Sequence, residues 1–245
     1  MDIWMTLDIG SSFCGLALFA PFVIVLALMI YGVIRSRDTR RNDLSALASR
    51  LGFKFRAAAD TSFSDRYPGV SLFTRGSSRR AANLLTGFMT VGDRRVPVLA
   101  GDYSYVTTSG RGKRRRERTH RFAVVMAHLP FKGLPEFIIR DETVLDRIVA
   151  AVGFDDIDYE SEEFSRRFHV KSTDRRFAFD LVGPDMVDYM LATETPDMEI
   201  EGSIVCTQYR GVLDVDEVEG ALEWMRGFLV RWPDHLVRNL EESES

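Results

Sequence analysis

The sequence predicts an α+β protein: an N-terminal transmembrane helix, then a mostly antiparallel sheet domain with packed helices. Three observations carry that expectation. The stretch from Phe13 to Ile34 contains no charged residue. Strand-like alternation recurs in pairs broken by Gly-containing turns. Helix-period runs with capping residues are scattered among those strands, the order expected of α+β chains with antiparallel pairing.

The apolar run comes first. At ~1.5 Å of rise per residue it reaches ~33 Å as a helix, against a hydrocarbon core of roughly 30 Å. The leader before it, residues 1–12, holds Asp2 and Asp8 and no Lys or Arg, whereas Arg35, Arg37, Arg40 and Arg41 follow it. A cleaved signal peptide has the opposite polarity and a small-residue site after the apolar stretch. The positive-inside rule therefore predicts a single-pass protein of the inner (plasma) membrane, N-terminus outside and the rest cytoplasmic. Cys14 and Cys206 lie far apart in the sequence, which argues against a disulfide framework.

The next elements read in order. Residues 35–60 form a juxtamembrane basic segment and a short helix. Asn42 or Asp43 caps that helix, Leu44, Leu47 and Leu51 line it, and Gly52 ends it. RAAADTSFSDRYPG has breakers and no periodicity, and reads as a loop. NLLTGFMTV and RRVPVLAGDYSYVTT form strands around a Gly92-Asp93 turn, and Pro97 implies a strand start or an edge. SGRGKRRRER is the solvent-exposed tip of a hairpin whose second strand is THRFAVVMAHL. FIIR is a short strand.

DETVLDRIVAAVG then has the clearest helical spacing, with Leu145, Ile148, Val149 and Val152 between Asp141 as cap and Gly153 as stop. DIDYES and RRFHVKS read as strands, and a helix starts at Pro184. MEIEGSIVCTQYR reads as one strand with Ile200, Ile204 and Cys206 on a single face. The closing helix opens on Asp214 and Glu217 at capping-box spacing, buries Val218, Leu222, Met225 and Leu229, and stops at Pro233. The cytoplasmic domain is thus residues 61–240, with a possible internal boundary near 134–141 and an acidic tail at 241–245.

Charge is segregated along this chain. Residues 35–121 hold 20 Lys and Arg against 7 Asp and Glu, and residues 122–245 hold 12 against 27. Such asymmetry fits two faces that attract each other or a basic face kept for an anionic surface. The densest charge is the hairpin tip: Arg111, Lys113, Arg114, Arg115, Arg116 and Arg118, with Glu117 alone opposing them. A polybasic tip gains ~1 kcal/mol per charge that reaches an anionic leaflet. Nucleic acid is the rival ligand by counterion release, disfavoured because no aromatic residue interleaves the loop to stack on bases.

Catalytic chemistry finds little support. His120 and His128 share a strand face but stand roughly 26 Å apart, too far for one ion. His169 and His235 lack ligand-spaced partners. Asp155, Asp156 and Asp158, Asp185 and Asp188, and Asp214 and Asp216 sit at turns or helix starts, where capping explains them. Cys206 reads as a small core residue. No catalytic, cofactor or metal residue is assigned and no cofactor is expected. The balance leans away from an enzyme, with a membrane-tethered hydrolase using Asp and Glu as the alternative and a polyanion binder as the third reading.

The segments RRAANLLTG, VPVLAGDYSYVT, LPEFIIRDE, DDIDYESEEFSRRFHVKSTDRRFAFDLV and EIEGSIVCTQYRG together resemble a group of uncharacterised bacterial membrane-anchored proteins. Members of that group pair an N-terminal transmembrane helix with a cytoplasmic α+β domain. The resemblance spans roughly 42 to 232, implies a bacterial source and transfers no activity. It agrees with a membrane-bound binding or scaffolding domain whose partners are anionic lipid head groups or another protein.

Overall fold

The structure, a computed structural model, describes residues 10–111, 114–141, 157 and 159–242. The chain divides into two compact units, Met1–Asp43 and Leu44–Ser245. The first helix, α1 (Gly10–Leu51), runs without a break through Asn42 and Asp43, so neither residue caps a separate short helix. Gly52 does end α1, as its left-handed φ of 69° requires. Its N–H donates to the Ser49 carbonyl at 3.3 Å, and that of Phe53 to Ala48 at 2.7 Å.

Within the first unit, Tyr31 Oη accepts from Arg35 and Asp38 faces Arg41. The transmembrane reading of 13–34 is overturned: among the described residues no helix is long and apolar enough to cross a membrane. The described apolar side chains from Phe22 to Tyr31 are exposed. The single-pass description falls with that reading.

The second unit is built on an antiparallel sheet. Its elements are β1 (Lys54–Arg56), a 3-10 turn (Phe63–Arg66), α2 (Ser71–Thr74), β2 (Ser77–Val91), β3 (Arg94–Ser109), β4 (Arg116–His128) and β5 (Leu134–Asp141). Then come α3 (Glu162–Arg167), β6 (Phe168–Ser172), α4 (Arg175–Leu181), α5 (Pro184–Ala192), β7 (Asp197–Gly202), β8 (Ile204–Arg210), α6 (Val215–Val230) and α7 (Asp234–Glu242). The eight strands lie in the order β1-β2-β3-β4-β8-β7-β5-β6, every neighbouring pair antiparallel. This is the α+β, antiparallel-sheet class expected.

Alternation along the strands sorts the core into two layers. One face carries Leu85, Val98, Ala100, Val125, Phe137, Met198 and Val205 against the end of α1 and the helices α3 to α7. The opposite face carries Leu84, Leu99, Tyr103, Val124, Met126 and Cys206 against Phe63, Val70, Leu72 and Phe73. Leu84 and Leu85 reach opposite layers beside a register shift between Ala82 and Leu85, where Asn83 takes φ 52°.

Several local expectations hold. Val91 pairs Arg94 across the Gly92-Asp93 turn. Pro184 begins α5. The reciprocal Asp214–Glu217 capping box opens α6. Pro97, however, lies inside β3: it pairs Phe88 of β2, and the β4 ladder starts only at Val98, so its missing N–H falls where that side has no partner.

Other readings need correction. Arg166 and Arg167 belong to α3, not to a strand. MEIEGSIVCTQYR turns at Gly202 (φ 63°) into β7 and β8, with Glu201 pairing Ile204. Ile200 therefore packs in the helix-side layer, opposite Cys206. The segment read as a loop, residues 56–69, instead contributes Phe63 to the second layer, with Tyr67 partly buried against it. The helix expected at 142–153, with Leu145, Ile148, Val149 and Val152, lies outside the described residues.

Candidate functional site

The basic tip sits on a two-stranded arm. The β2 ladder on β3 reaches Val106, and the β8 ladder on β4 stops at Phe122. Beyond those points only the β3–β4 rungs continue, ending at Ser109 opposite Arg116. Beyond Ser109, Gly110 adopts φ 83°, and the Arg114 N–H donates to the Arg111 carbonyl at 3.2 Å. A Cβ at position 110 would run into the Arg114 carbonyl.

Arg111, Arg114, Arg115, Arg116 and Arg118 are all exposed, and Lys113 lies outside the described residues. Arg115 meets Glu117 at 2.8 Å in an exposed pair, an interaction worth little in water. The arm therefore presents a cluster of guanidinium groups with one local carboxylate to offset them.

What the sequence reading missed is the aromatic base of this arm. Tyr105 stacks on His120 at 4.8 Å and 13°, and on Phe122 at 5.9 Å and 10°. Thr107, opposite Arg118, shares a 2.9 Å hydrogen bond with His120 Nε2. Burial, and secondarily the Arg118 charge, push the His120 pKa down, so its ring is neutral near pH 7. The rings lie on the strands and not in the loop. The signal available was the alternation Tyr103, Tyr105 in one strand and His120, Phe122 in the next.

A second polar constellation lies under the segment from Asp60 to Arg75, a strap across the face that holds Cys206. At one end Asp60 accepts from Arg56 (2.6 Å), Arg66 (2.8 Å) and the Ser62 N–H and hydroxyl. The two guanidinium groups hold its carboxyl far below the usual range. Ser64 and Tyr103 hydroxyls meet at 3.0 Å in the middle. At the other end Glu199, 1% exposed, accepts from the Ser71 N–H at 2.8 Å and its hydroxyl at 2.6 Å. Burial raises the Glu199 pKa, while those hydrogen bonds and the charges of Arg140 and Arg75 act the other way.

The remaining candidates do not converge. His128 packs 5.7 Å from Tyr67, and His235 faces Asp180 at 3.7 Å in the last helix. His169 is part of β6. Asp185 and Asp216 occupy first helical turns and Asp214 is an N-cap. Asp155, Asp156 and Asp158 lie outside the described residues. Cys206 is fully buried, and burial pushes its thiol well up, away from thiolate chemistry. Among the described residues no three His, Cys, Asp or Glu side chains are grouped to hold a metal ion.

No protein family and no curated protein matches the chain. Among solved structures, the crystal structure of the mycobacterial trehalose monomycolate transport factor A, TtfA, is similar to it. The TM-score is 0.57 at 14% identity, over 78% of this chain and 94% of that one. The likeness shows a common fold.

Proposed function

We propose that this chain is a non-enzymatic binding or scaffolding protein whose β3–β4 arm contacts an anionic surface, the acidic head groups of a cytoplasmic membrane leaflet. One observation carries the reading. Five exposed arginines crown a ribbon that extends past the rest of the sheet, with Glu117 as their sole neighbouring counter-charge on the strand. Guanidinium groups at the end of such a ribbon can approach a flat array of phosphates ahead of the rest of the sheet. Each that reaches the surface adds ~1 kcal/mol, attenuated by salt over a Debye length of ~8 Å. TtfA carries the name of a transport factor, and a role through contact instead of chemistry agrees with that name.

The test is flotation of the full chain with phosphatidylglycerol vesicles and with phosphatidylcholine vesicles. The wild type is compared with a variant carrying Arg114→Gln, Arg115→Gln, Arg116→Gln and Arg118→Gln. Binding that needs the acidic lipid, weakens with salt and is lost in the variant supports the reading. Equal flotation of the two proteins sinks it.

A further inference from the structure

A cavity of about 180 Å³ lies where the β2–β3 turn, the β4–β5 connection and the α6–α7 junction meet. Most of its wall is apolar, with Val96, Leu129, Phe131, Leu229, Trp232 and Val237 among the lining residues, and Asp93, Arg94 and Asp234 complete it. For scale, an engineered apolar cavity of ~150 Å³ takes up benzene. The Phe131 and Trp232 rings lie nearly parallel, 15° apart with centroids 6.4 Å distant. Trp232 is 7% exposed, and its Nε1–H has no hydrogen-bond partner among the described residues.

Charge at this cavity is not balanced. Arg94 lines it with its guanidinium 6.0 Å from the Phe131 ring centre, but that charge is already matched by Glu241 at 2.6 Å. Asp93 and Asp234 also line it, both exposed, and neither has an ion-pair partner among the described residues. Two carboxylates without an ion-pair partner, beside a largely apolar wall, suit a cation with an apolar body. A carboxylate ligand would meet two like charges and an arginine already engaged.

We propose that this cavity binds a small organic ammonium ion, its apolar body against Leu229 and Val237 and its charge beside Asp93 and Asp234. The inference is independent of the arm. It is tested by titrating the full chain with phenethylammonium, phenethyl alcohol and phenylacetate while following the Trp232 indole N–H resonance, assigned through Trp232→Phe. Phenethylammonium is expected to saturate and to shift that resonance, with affinity about tenfold above the alcohol and higher still above phenylacetate. Asp93→Asn with Asp234→Asn, both at exposed positions, should remove the preference for the ammonium. Val230→Trp, from a residue that lines the cavity while 53% exposed, should block binding with the fold intact by circular dichroism. No saturable binding, a shift confined to other indoles, equal affinity for phenylacetate, or unchanged binding in either variant overturns the proposal.

Discussion

Glu199 of β7 caps Ser71 at the head of α2 from 128 residues away, its two carboxylate oxygens taking the Ser71 N–H at 2.8 Å and the Ser71 hydroxyl at 2.6 Å. A four-residue helix has no cooperative stability of its own. Its place is set by this carboxylate and by Leu72 and Phe73, both fully buried beneath it. Gly69 belongs to the same fit: a Cβ there would stand 2.5 Å from Glu201 Cγ.

Stability should therefore depend on pH through Glu199. Its folded-state pKa is raised above the ordinary 4.5, so the folded state holds a proton that the unfolded chain releases. The contribution is fully present below about pH 4.5 and is lost as pH rises through the folded value. Glu199→Gln should flatten that part of the stability–pH curve, measured by urea denaturation across mildly acidic pH. Glu199→Ala should cost about 1–3 kcal/mol by leaving the Ser71 N–H without its acceptor. A curve that is the same in wild type and Glu199→Gln would remove Glu199 as the source.

Cys206 reports on the strap directly. In a Cys14→Ser background it is the sole thiol, and it is fully buried. Its reaction with a soluble disulfide reagent should be roughly 1000-fold slower than in urea. Glu199→Ala should accelerate labelling in native buffer, whereas a core substitution on the helix-covered face of equal global cost should accelerate it less.

Gly227 sets packing against helix propensity. Alanine there would gain up to about 1 kcal/mol of intrinsic helix preference. Its Cβ, however, would stand 2.7 Å from Tyr189 Cζ and press on the hydroxyl that donates to the Trp224 carbonyl at 2.9 Å. Overpacking typically costs 1–3 kcal/mol, so the sign follows the contact. Gly227→Ala should lower the thermal midpoint, and Gly220→Ala on the same helix, where the new Cβ meets open space, should raise it.

The capping box supplies a local control. Asp214 accepts from the Glu217 N–H at 2.9 Å, and Glu217 reaches back to the Asp214 N–H at 2.7 Å. Asp214→Ala should cost about 1 kcal/mol in urea denaturation and leave the vesicle flotation proposed for the arm at its wild-type level.

What could be read from the sequence was chemistry that stays within a few residues. Gly52, Gly92-Asp93, Pro184 and Asp214 with Glu217 each act through their own neighbours, and each took its expected place. The strap was illegible because Phe63, Val70 and Phe73 follow no period; they reach the sheet through a 3-10 turn and one helical turn. Ile200 and Ile204 share a face only if one strand continues through Gly202 and Ser203, and the pairing of Glu201 with Ile204 makes those two residues a hairpin turn instead. Of the arm, the arginines were plain in the sequence. Its aromatic base was not, because Tyr105 meets His120 and Phe122 across a ladder whose register no single strand reveals.

The end of the two-stranded arm stands apart from what keeps this protein folded. Its last rungs, from Thr107 to Ser109 and from Arg116 to Arg118, lie outside both core layers. Residues there are free to change sign, length or composition while the sheet and strap stay as they are. Substitutions can thus accumulate there one surface residue at a time, and relatives should differ most at that tip while keeping the Tyr105 stack beneath it.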